Sequence, residues 1–172
     1  MRFIFIIFLT IFKFEITVAN EKIAFIDLNF IMNNSVAGTS IKTFINDLSK
    51  EKNKYFEVIE SEIKKDENEL ISKKNIIEES IYNKKVNEIR IRINDYKLKR
   101  QNFNKNLSEK KIKLNNLLLK KLNPIISQYV EENSITMVLP KKMVIIGKKD
   151  LDITKQILEA LDKSVKKINF DE

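Results

Sequence analysis

The chain contains no cysteine, no histidine and no tryptophan, and its 172 residues include only two glycines and two prolines. Without Cys and His it has no thiol nucleophile, no imidazole base and none of the usual zinc ligand sets. Its glycines, Gly38 and Gly147, are too few and too far apart for a phosphate-cradling GxxxxGK[ST] loop. Neither Gly nor Pro occurs across the 85 residues from 39 to 123. That gap argues against a loop-rich β protein and predicts long helices.

What is present is charge and aliphatic side chain. A third of the residues are charged, and 32 Lys and Arg against 24 Asp and Glu leave a net +8. Such a surplus favours anionic partners without choosing between nucleic acid, lipid headgroups and acidic polypeptide. The heavy use of Ile, Asn and Lys reads as codon bias of an AT-rich genome. The N-terminus, MRFIFIIFLTIFKFEITVAN, places Arg2 before ten uncharged residues, Phe3 to Phe12. A run of that length suits the core of a signal peptide and is too short to cross a bilayer as a helix. Thr17 and Ala19 predict cleavage before Asn20, removal of residues 1–19, and export of the mature chain to the envelope of a bacterium. The competing readings are a buried N-terminal strand or an uncleaved anchor.

In the mature chain, KIAFIDL (22–28) is a short, β-prone apolar run, and Ser35 is placed to cap a helix starting at Val36. Pro124 lies in the helical context LNPIISQYVEEN, with the helix predicted to stop near Asn133. SITMVLP (134–140) and MVIIGKK (143–149) read as two strands joined at Pro140-Lys141-Lys142. A last helix places Ile157, Leu158 and Leu161 on one face. Between these end pieces lies a heptad pattern. From Val86 it runs through Ile89, Ile93, Tyr96, Arg100, Phe103, Leu107, Lys110, Leu114 and Leu117, eight apolar positions in ten. Earlier, Ile41, Ile45, Leu48, Lys52, Tyr55 and Ile59 keep the spacing, and Ile63, Leu70 and Ile77 resume it after a slip of one. Arg100 and Lys110 interrupt the seam and read as long stems snorkelling past the core. Tyr55, Tyr96 and Phe103 read as core rather than as base-stacking platforms.

A single straight helix over the gap would reach about 130 Å, and a folded-back pair about 60 Å. The folded-back form returns the chain to its opening strand, which needs partners. Its arms also attract. Ser40–Tyr82 carries eight basic and ten acidic residues, whereas Lys84–Lys121 carries thirteen basic and three acidic. The turn is predicted between Ser72 and Asn83, the least secure boundary because it lacks Gly and Pro.

The order of these parts resembles the Skp/OmpH family of Gram-negative periplasmic chaperones. In KIAFIDLNFIMNNSVAGTSI, Phe25, Ile26, Asp27 and Leu28 match the family's opening strand, Asn34 and Ser35 its turn, and Ala37 and Gly38 its small pair. LNPIISQYVEENSITMVLP matches the helix-to-strand passage, and residues 151–154 with 157–161 match the closing motif. Val36 departs from the proline frequent after the serine. The resemblance covers residues 20 to about 165 and implies an α+β, mostly helical fold. A small β-rich trimerisation head, residues 20–38 and 122–172, would carry an antiparallel α-helical coiled-coil hairpin, residues 39–121, inserted between its strands.

The function so implied is ATP-independent holding of unfolded outer-membrane β-barrel proteins in a cavity between the tentacles of a homotrimer. No catalytic site, cofactor or metal is expected. Client or membrane contact is assigned to Lys84, Lys85, Arg90, Arg92, Lys97, Lys99 and Arg100, for which a solvated helix face is the plainer reading one by one. Anionic lipid or lipopolysaccharide is a further expected contact, with no site matched to positions here. The competing functions are a structural envelope coiled coil without clients and a basic nucleic-acid-binding protein. The latter lacks a recognition module, and export would remove its partner.

Overall fold

The computed structural model describes residues 21–166 and 168–170, so the expected signal peptide, residues 1–19, lies outside them. Strand β1 (Lys22–Ile26) opens the described chain, followed by helices α1 (Leu28–Asn34), α2 (Val36–Ser72) and α3 (Glu79–Glu132). Strand β2 (Ile135–Pro140) comes next, then short 3-10 turns at Lys141–Met143 and Lys149–Leu151, and helix α4 (Thr154–Ser164). The 37 residues of α2 and 54 of α3 correspond to about 55 and 80 Å of helix.

The two strands pair in parallel, from Lys22 beside Ile135 to Ile26 beside Pro140, with a register shift after Lys22. On the other edge of β1, Ile153 N donates to the Phe25 carbonyl at 3.0 Å, and Phe25 bridges Asp152. β1 is therefore flanked on both edges, and Ala24 and Ile26, which share one of its faces, are buried in the core built with the helices. The remaining apolar run fares differently. Residues 143–149, expected to form a strand, are a turn and irregular backbone. They do not pair with the free outer edge of β2, from which only the turn at Lys141–Met143 separates them. Ile145 and Ile146 stand 97% and 91% exposed in consequence.

Asp27 ends β1 because its carboxylate accepts from Phe30 N at 2.9 Å and starts α1. Leu28, expected to end the strand, instead opens a seven-residue helix that runs into Asn34 of the expected turn. Asp27 N donates to Thr154 Oγ1 at 2.9 Å, tying the strand end to α4. The buried Ser35 hydroxyl accepts from Gly38 N at 3.0 Å and caps α2 at the predicted position. Val36 N donates to the Asp162 carboxylate of α4 at 2.8 Å, a charge placement that suits a helix N-terminus. Gly38 is required by closeness: a Cβ there would lie 1.9 Å from the Met32 carbonyl oxygen.

These elements share one core. Ile31 and Ala37 meet Leu114, Leu118 and Leu122 of α3, and Ile153, Ile157 and Leu161 close it from α4. Two residues beyond α4 complete it. Ile168 is fully buried, and the Phe170 ring stacks on Phe44 with centroids 4.3 Å apart.

Away from this core, α2 and α3 lie side by side. Their partners run in opposite numerical order: Phe56 against Phe103, Glu60 against Tyr96, Asp66 against Arg92. The turn between them occupies Lys73–Glu78, inside the predicted interval. The α2 register needs correction. The buried positions are Ile41, Ile45, Phe56, Ile63 and Leu70, so an eleven-residue step separates Ile45 from Phe56 before strict heptads resume. Tyr55, expected on the seam, is 47% exposed, whereas Phe56 is 2% exposed and sets its ring edge-on to both Tyr96 and Phe103.

Candidate functional site

Among the described residues no cluster of three or more Asp or Glu is placed to hold a metal, and the hollows are open surface grooves. No helix in that range is long and apolar enough to cross a membrane. The candidate site is therefore a surface, and the geometry of the basic run on α3 decides which of its charges are free to act.

Three of its seven cations are engaged within the chain. Arg92 reaches across to α2, bonding the Asp66 carboxylate and lying 4.0 Å from Glu62. Arg100 lies 3.6 Å from Glu60 and donates to the Tyr96 hydroxyl at 2.6 Å, while that hydroxyl donates to Glu60 at 2.8 Å. Arg100 thus bridges the seam through its head group, whose guanidinium carbon also lies 5.9 Å from the Tyr96 ring centroid. Lys99 pairs with Asp95 one turn back at 2.7 Å, and that hydrogen bond raises the ammonium pKa. These pairs are solvent-exposed and contribute little stability, yet they leave little net charge at three assigned positions.

The other four, Lys84, Lys85, Arg90 and Lys97, are exposed and carry no ion pair among the described residues. Lys85 borders a groove with Glu69 and Lys73 near the α2–α3 turn, and Arg90 borders a more apolar one with Ile71 and Tyr82. The free cations therefore cluster toward the distal end of the helix pair. Contiguity in the sequence concealed this split, because acids of α2 neutralise Arg92 and Arg100, and only the Asp95–Lys99 pair is local.

The head carries a second surface that residue types had marked only as a strand. Met143, Ile145 and Ile146 project from the β2–α4 connection, and Met137 of β2 and Ile23 of β1 are also exposed. Lys141 anchors the base of this connection through a 2.7 Å bond to Asp152. Partial burial pushes the Asp152 carboxyl up, but hydrogen bonds from Lys141 and Thr154 outweigh it and hold the group below its ordinary value.

The core that joins residues 22–26 to 135–161 and the projecting helix pair coincide with the span of one family. The model of the family described as outer membrane protein (OmpH-like) matches residues 22–161. The chain belongs to the OmpH-like family. Its fold also matches a solved structure from Caulobacter crescentus CB15, described as a candidate outer membrane chaperone (OmpH-like). That match has a TM-score of 0.79 and covers 87% of this chain and 88% of the other, at 17% sequence identity. At such identity the likeness establishes a shared fold. No curated protein gives a significant sequence match. In this OmpH-like chain the tail that places Ile168 and Phe170 on the core falls beyond the matched span.

Proposed function

We propose that this OmpH-like chain is a periplasmic, ATP-independent holdase that keeps unfolded outer-membrane β-barrel proteins from aggregating before insertion. The observation carrying this reading is the helix pair. About half of the chain forms a projection of about 50 Å whose outer faces are open to a large, irregular partner. Family membership, and the candidate-chaperone description of the structure sharing the fold, support the same role.

In this reading residues 20–38 and 122–172 form the head, and residues 39–121 form an antiparallel coiled-coil tentacle. Three heads associate. The exposed Met143–Ile146 edge supports this, because a two-stranded sheet is a poor sheet by itself and a neighbouring copy would supply what these residues lack. The three tentacles bound a cavity for the client. Lys84, Lys85, Arg90 and Lys97 attract acidic clients and anionic lipid or lipopolysaccharide, while Arg92, Lys99 and Arg100 of the same basic run are held by Asp66, Asp95 and Glu60.

Native mass spectrometry of the chain from Asn20, alone and after dilution of a urea-unfolded outer-membrane β-barrel protein into it, tests the proposal. A trimer that takes up one client supports it. A trimer indifferent to the client moves the function to a structural coiled coil of the envelope. A monomer or dimer overturns the assembly.

A further inference from the structure

The face of α3 turned away from α2 has an order that the seam does not require. Ile91, Leu98 and Ile112 recur at steps of seven and fourteen residues, and Lys105 fills the missing heptad position. Ile91 lies two residues from both seam positions Ile89 and Ile93. At about 100° per residue this is the opposite side of the helix. All three aliphatic side chains are more than half exposed, at 59%, 59% and 56%. Beside them runs a second heptad row, with Asn87 and Asn94 four residues before Ile91 and Leu98, and Gln101 four before Lys105. These amides are exposed and make no hydrogen bond within the described chain. Of the charges on this face, Asp95 is bonded to Lys99 and Lys105 lies 4.0 Å from Glu109, whereas Lys84, one heptad before Ile91, has no ion pair among the described residues.

We infer that this strip is where an extended, unfolded polypeptide lies on the helix. The inference rests on the holdase reading and names the surface on which it acts. A primary amide offers a carbonyl acceptor and two N–H donors, the complement of a peptide group whatever its side chain. A row of such amides beside a row of aliphatic side chains therefore binds backbone and apolar side chains together without reading sequence. From Asn87 to Ile112 the strip is about 38 Å long, the reach of roughly eleven extended residues. A second copy of this chain fits the same strip poorly. Three aliphatic side chains spread over that length fall well short of the ~800 Å² per partner of a stable interface. In the parallel register that would align the two rows, Lys105 meets its own copy, and two segments with thirteen basic and three acidic residues each repel. An unfolded chain of neutral or acidic character meets neither obstacle.

The test compares the chain from Asn20 with two variants, Ile91→Gln/Leu98→Gln/Ile112→Gln and Asn87→Ala/Asn94→Ala/Gln101→Ala. A charge variant, Lys84→Gln/Lys97→Gln, is the reference. Each is titrated against a fluorescently labelled, urea-unfolded outer-membrane β-barrel protein at about 50 mM and about 500 mM salt. Circular dichroism and native mass are recorded alongside. The expected result is at least about a tenfold weaker affinity for the aliphatic variant at both salt concentrations. A smaller loss is expected for the amide variant, and for the charge variant a loss at low salt only. An aliphatic variant that binds like the parent overturns the strip and leaves the holdase reading standing. So does one weakened only at low salt. An aliphatic variant with a changed oligomeric state makes the strip a copy-to-copy contact and overturns it. The amide variant keeps good helix formers and still tests the strip if the first fails to fold. A parent chain that binds no client overturns both readings at once.

Discussion

Two neighbouring aromatics, Tyr55 and Phe56, test the register of the helix pair directly. Phe56 is 2% exposed and touches two rings of α3 edge-on, each with centroids 5.9 Å away. Truncation to Ala removes a transfer contribution of about 1.5–3 kcal/mol for a fully buried side chain. It also removes two ring contacts of about 0.5–1.5 kcal/mol each. The sum falls near the usual 3–5 kcal/mol for Phe→Ala. The pair is only two helices thick, so water and neighbouring side chains can enter the gap, and the expected value lies at the lower end, about 3 kcal/mol. Tyr55 is 47% exposed, and Tyr55→Ala is expected to destabilise by less than about 1 kcal/mol. The gain in helix propensity is nearly the same for both and cancels in the comparison. Urea unfolding followed by circular dichroism gives the global values. Hydrogen exchange at residues 52–60 and 96–107 reports whether the loss is confined to the helix pair. Equal costs at the two positions, or a larger one at Tyr55, would refute the eleven-residue step.

Gly38→Ala brings its methyl group onto the Met32 carbonyl oxygen and is expected to lower stability by more than about 2 kcal/mol, read as a fall in thermal midpoint. Ser134 holds φ at 51°, so Ser134→Gly relieves a left-handed backbone and is expected to raise stability by about 0.5–1 kcal/mol in urea titration. The depressed carboxyl of Asp152 stabilises the head above the ordinary value of 3.8, and this contribution is lost as pH falls through the lower folded-state pKa. Asp152→Asn should flatten that acid-side limb in thermal melts between about pH 2 and 5, and an unchanged limb would count against the Lys141–Asp152 link.

Much of this fold was legible from residue type and spacing. The breaker-free run marked the long helices, Ser35 marked the start of α2, and Ile157 and Leu161 marked the buried face of α4, because each depends on neighbours within a few turns. What escaped depends on distant parts of the chain. Tyr55 and Phe56 are interchangeable by local pattern, and only the rings of Tyr96 and Phe103 decide between them. Residues 143–149 have strand composition but pair with neither strand among the described residues. Asp27 was read as part of a strand signature, whereas its carboxylate starts a helix. On the basic face, the charges of Arg92 and Arg100 are neutralised by acids more than twenty residues away in sequence. The heptad row of Ile91, Leu98 and Ile112 was written in the sequence, but the stronger seam period masked it.

The parallel pairing of β1 with β2 fixes the order in which the protein can assemble. Lys22 must find Ile135, more than a hundred residues later, and in an open chain that search is slow. The Lys73–Glu78 turn shortens it, since the first α2–α3 contacts beyond it are local and each further turn of helix brings the ends closer. The helix pair acts as a zip fastener whose closing delivers the two strands to each other. The N-terminal strand emerges first in synthesis and finishes last. A lesion at the turn, far from any head residue, should appear as delayed head folding with little change in final stability.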